Sequence, residues 1–146
     1  MRRDLPFVQF DSAGTGRSHV GDPPHQMAMA EGGRRGYLVN HRGRQIHPDD
    51  FARFDLIVAM DRMNVDDLER MRGGMEQRVG YYATVEPLQV QLLRRWDPYA
   101  MPGDEDLPDP WGHPPAAYRA MFDVIERTMP LLLDHLAWLH SEHPGV

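Results

Sequence analysis

The sequence contains no cysteine and no lysine, and all 16 of its basic residues are arginine. The lack of cysteine excludes disulfides, thiolate zinc sites and cysteine nucleophiles from these 146 residues. The lack of lysine excludes Schiff-base chemistry and a phosphate-loop lysine. Serine occurs only at Ser12, Ser18 and Ser141, and none lies in a Gly-x-Ser-x-Gly motif. Few side chains are therefore available for covalent catalysis.

Length and charge limit the class of protein further. A chain of 146 residues predicts a single domain that spans residues 1–146. The net charge of -6 argues against a partner that is a nucleic acid. No apolar run is long enough to cross a membrane, and residues 1–6 lack the apolar core of a signal peptide. We therefore expect a soluble, cytoplasmic protein with no membrane partner.

Short apolar runs alternate with segments of helical periodicity. We expect strands at residues 7–11, 55–61 and 90–93, and the continuous apolar run after Asp55 is typical of a buried parallel strand. This alternation predicts the α/β class, a parallel sheet flanked by helices. The carboxyl ends of such strands meet at one edge, so Asp11, Ser12, Asp61 and Asp109 could lie together there.

Four helices are expected between and after these strands. Proline at the first position predicts helices from Pro23 to about residue 32 or 35 and, for about two turns, from Pro48. Asn64 should cap a helix over 65–72, which Gly73 and Gly74 should end. A long amphipathic helix is predicted from Tyr118 to Leu139, with a kink or break at Pro130. Residues 75–87 are ambiguous.

The loop over residues 107–114 holds one carboxylate between two prolines. Pro108 and Pro110 restrict the backbone, so Asp109 should lie at a rigid rim, with Trp111 two residues further on. A partly desolvated carboxyl beside an aromatic ring can act as a proton donor. The alternative is that these residues only form a turn before the last helix, and the local sequence leaves both interpretations open.

Other motifs give weaker signals. The segment 14–18 exposes glycine amides next to Arg17, but it lacks the spacing and the lysine of a phosphate-binding loop. The eight histidines form no His-Glu-x-x-His pair, and the acidic residues 104–106 lack the pattern of a calcium loop. The sequence therefore predicts no metal site and no cofactor.

Several motifs in a fixed order give the chain its resemblance to a known family, the low-molecular-weight protein tyrosine phosphatases. The resemblance covers nearly the whole chain, and the ordered series is more specific than any single motif. The matching segments are 8–16 (VQFDSAGTG), 19–24 (HVGDPP), 41–45 (HRGRQ), 49–64 (DDFARFDLIVAMDRMN), 107–110 (LPDP) and the terminal helix.

The resemblance implies a fold, a reaction and site residues. It implies a four-stranded parallel sheet in a phosphotyrosine protein phosphatase I-like three-layer sandwich, and phosphoric monoester hydrolysis through a cysteinyl-phosphate intermediate. Asp109 matches the general acid, and Trp111 takes the place of an aromatic residue beside the substrate ring. Ser12 and His41 match residues that shape the phosphate loop, and Asp61 matches an acid next to it. The implied substrate is a phosphotyrosine protein or an aryl phosphate.

The chain departs from the family in one large respect, because it has no Cys-x5-Arg-Ser phosphate loop. The first strand and most of the first helix of the family pattern are expected to be missing with it, so the domain is expected to be N-terminally truncated and inactive as written. Two explanations stay open: a phosphatase of this family whose sequence starts too late or whose gene is truncated, and a non-catalytic relic that binds a protein or self-associates. An arsenate reductase would also need cysteines.

Overall fold

The computed structural model describes residues 5–79 and 89–142, except for the side chains of residues 75–79. Seven elements follow one another in these ranges: α1 (Gln26–Arg34), α2 (Asp50–Arg53), β1 (Ile57–Ala59), α3 (Arg62–Val79), β2 (Val90–Leu92), a 3-10 helix (Leu93–Trp96) and α4 (Pro115–Glu142). Residues 80–88, in the ambiguous segment of the sequence, lie outside the described residues. No helix in the described ranges is long and apolar enough to cross a membrane.

The strands β1 and β2 pair in parallel, with Ile57 opposite Val90. Side chains on one face of this sheet, including Ile57 and Ala59, pack against Phe51 of α2 and Leu68 of α3. Val58 points to the other face and packs in a second core with α4. Helices therefore cover both faces of the sheet, which confirms the predicted α/β class and the interpretation of the apolar run as a buried strand.

The prediction of a strand at residues 7–11 was wrong. Those residues are irregular, and Phe10 is 63% exposed. The nearest bridge is an isolated one between Gly14 and Gln45. A strand is stable only when a neighbouring strand forms backbone hydrogen bonds with it. No described segment forms such a ladder with residues 7–11. β-type composition alone did not make a strand.

Two helix boundaries also differ from expectation. Asp61, not Asn64, caps α3, because its Oδ1 accepts a hydrogen bond from the amide of Asn64 at 2.8 Å. The helix then continues through Gly73 and Gly74 to Val79. Each glycine costs about 1 kcal/mol relative to alanine, which the packing of Val65, Leu68 and Met71 against the sheet can exceed.

The other helices depart less from their predicted positions. α1 begins at Gln26, and the Nδ1 atom of His25 caps it by accepting from the amide of Met27 at 3.2 Å. α2 is shorter than predicted, with four residues. α4 runs through Pro130 as one helix, so the local break allowed for in the prediction is absent. Side chains on both sides of Pro130, including Met129 and Leu132, pack in the same core.

A charged cluster joins α1 to α4. Arg35 donates to Glu31 at 2.7 Å and contacts Asp123 at 2.8 Å and Glu126 at 3.3 Å. Its guanidinium also lies 5.5 Å from the ring centroid of Phe122. One half-buried arginine therefore fixes the distance between the two helices.

Glycine is required where two loops meet near the first matching motifs. Gly43 accepts from the amide of Gly21 at 2.7 Å and donates to the carbonyl of Asp22 at 2.9 Å. A Cβ atom at Gly43 would lie 2.2 Å from the carbonyl oxygen of His19. The loop therefore packs directly on the backbone of residues 19–22.

We predict that Gly43→Ala lowers the free energy of unfolding by about 1–3 kcal/mol, because the added methyl group displaces the backbone of His19. Urea denaturation followed by tryptophan fluorescence measures the change. Gly16→Ala is the matched control, since nothing lies within 4 Å of a Cβ atom there. Equal stability of the two variants would contradict the close packing at Gly43.

Candidate functional site

Asp109 lies in the loop that leads into α4, and its carboxylate is exposed. Its Oδ1 accepts a hydrogen bond from the amide of Trp111 at 3.0 Å, and the amide of His113 donates to the carbonyl of Pro110 at 3.0 Å. These bonds form two successive turns, with Gly112 at a φ of 78°. The loop is thus the turn that the sequence suggested, and Oδ2 makes no hydrogen bond to a described residue.

Two hydrogen bonds attach the Asp109 loop to the connection between β1 and α3. The amide of Leu107, a buried residue, donates to the carbonyl of Met60 at 2.8 Å. The amide of Arg62 donates to Oδ1 of Asp106 at 2.9 Å. Met60 and Arg62 flank Asp61, so the loops that carry Asp61 and Asp109 are held side by side.

Ser12 and His41 lie in a second group of loops. The segment after Ser12 and the segment after His41 are joined by two backbone hydrogen bonds of 2.8 Å. The amide of Gly14 donates to the carbonyl of Arg44, and the amide of Ile46 donates to the carbonyl of Gly14. Ser12 and His41 are exposed. Within the described residues, no hydrogen bond or ion pair joins this group to the loops of Asp61 and Asp109.

Arg44 supports the second group. It contacts Asp11 at 3.1 Å and Asp50 at 2.9 Å. Burial alone would raise the pKa of Asp50, but hydrogen bonds from Arg44 and from the amide of His47 lower it overall. Asp50 therefore stays ionised and holds Arg44 against the loop that contains Ser12.

Trp111 is 63% exposed and stands two residues from Asp109. Among the described residues no ring lies against it, so its face is open to solvent. An exposed indole at a loop rim is an apolar surface that an aromatic ligand can cover.

Sequence reasoning missed Asp97, whose side chain is fully buried. Its carboxylate accepts two hydrogen bonds from Arg127, at 2.8 and 2.9 Å, one from Arg94 at 2.9 Å and one from the amide of Tyr99 at 2.9 Å. The bonds from Arg127 hold the pKa of Asp97 well below its usual range, against the effect of burial. No sequence motif signalled this pairing, because Arg127 is remote from Asp97 in the chain.

Nothing in the described part of the chain brings together three histidine or acidic side chains that could hold a metal ion. Asp109 leaves one carboxylate oxygen without a hydrogen bond to a described residue, two residues from an exposed aromatic ring. In α/β folds with a parallel sheet, loops at the carboxyl edge of the sheet commonly carry binding and catalytic groups.

The family model that matches the chain is described as "Low molecular weight phosphotyrosine protein phosphatase" and covers residues 2–142. The chain therefore belongs to the low-molecular-weight phosphotyrosine protein phosphatase family. No residue between Met1 and Val146 is a cysteine, so these residues contain no thiolate nucleophile.

Relatives agree in sequence and in fold. A low-molecular-weight protein tyrosine phosphatase of Streptomyces coelicolor is 33% identical over 123 residues, which are 82% of this chain and 68% of the relative. The crystal structure of an arginine phosphatase of Drosophila has a TM-score of 0.73 at 27% identity, covering 90% of this chain and 80% of that one. A protein tyrosine phosphatase of Entamoeba histolytica shares the fold, with a TM-score of 0.74 at 24% identity over 87% of this chain and 74% of that one.

We predict that Asp97→Asn lowers the free energy of unfolding by about 3–5 kcal/mol at neutral pH, because two arginines then lose a buried partner. The folded-state pKa of Asp97 is depressed, so its contribution is complete above the ordinary carboxyl pKa near 4 and is lost as the pH falls through the folded-state pKa. The difference between wild type and variant should therefore shrink below about pH 4.

Urea denaturation at a series of pH values measures this difference. Asp104→Asn is the control, because that carboxylate is 76% exposed and lies 3.7 Å from Arg94, and it should change stability by less than about 1 kcal/mol. A gap between wild type and Asp97→Asn that stayed constant down to low pH would show that the charge of Asp97 is not what stabilises the fold.

Proposed function

We propose that this chain carries the general-acid part of a protein tyrosine phosphatase site, and that the 146 residues alone do not hydrolyse phosphate esters. The observation that carries the proposal is the attachment of the Asp109 loop to the β1–α3 connection through Leu107 and Asp106. It holds a carboxylate with one free oxygen at the rim of the sheet in a chain of this family. The nucleophilic cysteine would have to come from a segment outside these residues.

In the proposed reaction, a thiolate attacks the phosphorus atom while Asp109 gives its proton to the departing phenolate oxygen. Asp109 then takes a proton from water as that water attacks the cysteinyl phosphate, which releases inorganic phosphate and restores the thiolate. The amide of Trp111 bonds to Oδ1 of Asp109 and leaves Oδ2 for this proton transfer. The indole of Trp111 packs beside the substrate ring.

Ser12, His41 and Asp61 are proposed to support the phosphate loop. Ser12 and His41 are exposed on adjoining loops, where their side chains are open to a further segment. Asp61 lies at the N-terminus of α3, on the same connection that holds the Asp109 loop. Each would act on the loop by hydrogen bonding and not on the substrate.

Magnitudes explain why the chain is proposed to be inactive. General acid catalysis contributes roughly 10²- to 10⁴-fold to a rate. Loss of the nucleophile from a covalent mechanism costs about 10⁶-fold. Asp109 therefore has little to act on without a cysteine.

The proposed substrate is a phosphotyrosine protein or an aryl phosphate. The exposed ring of Trp111 supports an aromatic leaving group, and the Streptomyces coelicolor relative is named as a tyrosine phosphatase. The Drosophila relative is named as an arginine phosphatase, so phosphoarginine is the substrate to compare.

A second candidate function is binding of a protein or of a second copy of the chain. Its support is exposed apolar surface at Phe10 and at Met60, the residue that follows β1. Ile57 donates to the carbonyl of Gln89, and the parallel ladder alternates, so the backbone groups of Val58 point to the edge of β1 away from β2. Such an edge favours pairing with another strand.

For the first function, we predict no hydrolysis of p-nitrophenyl phosphate by residues 1–146. Fusion of the strand, Cys-x5-Arg-Ser loop and first helix of a family member before residue 5 should give activity. Asp109→Asn in that fusion should then lower kcat by about 10²- to 10⁴-fold for phosphotyrosine, because the phenolate leaves unprotonated.

Glu105→Gln in the same loop is the control and should keep most of the activity. The proposal fails if Asp109→Asn and Glu105→Gln are equally active, or if residues 1–146 turn over substrate without a cysteine. Phosphoarginine assayed beside phosphotyrosine decides between the two substrate classes.

The second function predicts that residues 1–146 form dimers in sedimentation velocity and that Met60→Asp, at the end of β1, makes them monomeric, because a charge is costly at an apolar interface. Leu38→Asp is the control, since Leu38 is exposed but lies outside the sheet. A monomer at every concentration would rule out self-association through this edge.

A further inference from the structure

We propose that Arg94 is a positioning residue for Asp109, which it places by holding the backbone of Asp106. This inference rests on the proposed role of Asp109 as general acid. Arg94 lies in the 3-10 helix after β2, and its side chain is only 10% exposed. It is not placed to touch a substrate at the loop rim, so any effect on catalysis must pass through the loop.

The guanidinium of Arg94 makes two bonds with different partners. Its Nε donates to Oδ2 of Asp97 at 2.9 Å, and its Nη1 donates to the carbonyl oxygen of Asp106 at 3.0 Å. The first bond fixes the orientation of the guanidinium plane. The second bond then fixes the position of the loop backbone at residue 106.

The carboxylate that orients Arg94 is itself rigidly held. Asp97 is buried and accepts two bonds from Arg127 of α4, whose guanidinium lies 5.0 Å from the ring centroid of Tyr99. α4 is the long helix of the second core. Arg94 therefore connects the backbone of Asp106, through Asp97, to a helix that packs in the second core.

The path from Asp106 to the acid is short and stiff. The carboxylate of Asp106 accepts from the amide of Arg62, so Asp106 is held at its carbonyl and at its side chain. Leu107 is buried, and Pro108 and Pro110 limit the rotations on either side of Asp109. A shift at Asp106 is therefore passed on to the carboxylate of Asp109.

Two adjacent arginines provide a matched comparison. Arg95 is exposed and donates to the side chain of Gln91 at 2.6 Å, and it makes no hydrogen bond or ion pair with a described residue of the loop. Lysine at position 94 would keep the charge but lose the planar fork that reaches two partners at once. The proposal therefore distinguishes the geometry of Arg94 from its charge.

Hydrogen exchange on residues 1–146 tests the hold on the loop without any activity. Arg94→Lys and Arg94→Gln should speed exchange at the amides of Leu107 and Arg62 by about tenfold or more, through local opening. The exchange rate at the amide of Ile57, which donates to the carbonyl of Gln89, should change little in these variants. In Arg95→Gln, the exchange rates at the amides of Leu107, Arg62 and Ile57 should all change little. Unchanged exchange at Leu107 and Arg62 would overturn the proposal.

Kinetics in the fusion that carries the phosphate loop test the effect on the acid. Arg94→Lys should lower kcat more for phosphotyrosine, a poor leaving group, than for p-nitrophenyl phosphate, with KM nearly unchanged. In an Asp109→Asn background it should have almost no further effect, because the two substitutions remove the same proton transfer. The proposal would be overturned if Arg94→Lys lowered kcat equally for both substrates and did so again in the Asp109→Asn background.

The two readouts separate this inference from the proposed function. If Asp109→Asn leaves phosphotyrosine hydrolysis unchanged, the proposed function fails and the positioning role of Arg94 fails with it. If Asp109→Asn slows hydrolysis but Arg94→Lys alters neither exchange nor leaving-group dependence, only the inference about Arg94 fails.

Discussion

The buried carboxylate of Asp97 is the interaction on which the arrangement of the loops depends. A charge without solvent contact is stable only when donors surround it, and here Arg94, Arg127 and the amide of Tyr99 supply four bonds. Those donors come from the 3-10 helix, from α4 and from the loop itself. A single carboxylate therefore sets the relative position of three segments, which apolar packing alone would leave free to slide.

The sheet contributes less than the helices to the described fold. Each strand has three residues, too few for a ladder to be stable alone, and α2, α3 and α4 bury its two faces. Among the described residues, 7–11 lie outside the sheet and contribute no side chain to either core. The segment therefore exposes apolar side chains to solvent, including that of Phe10.

The sequence predicts the features that depend on periodicity and misses those that depend on distant partners. Continuous apolar residues identified β1, and spacings of three and four identified α4, because one local pattern determines each. The end of α3 was missed, since tertiary packing outweighs two glycines. The partner of Asp97 was missed because Arg127 approaches it only after α4 has docked. At the site, the family motifs singled out candidate residues whose roles stay predictions, and no motif contained the contacts that hold the Asp109 loop.

The loop that carries Asp109 is held by contacts that involve no cysteine. Among the described residues, the hydrogen bonds that attach this loop to other segments involve Met60, Arg62 and Arg94. Ser12 and His41, whose proposed partner is the phosphate loop, are exposed instead. The described contacts therefore hold the Asp109 loop in place, whereas the side chains of Ser12 and His41 are open to solvent.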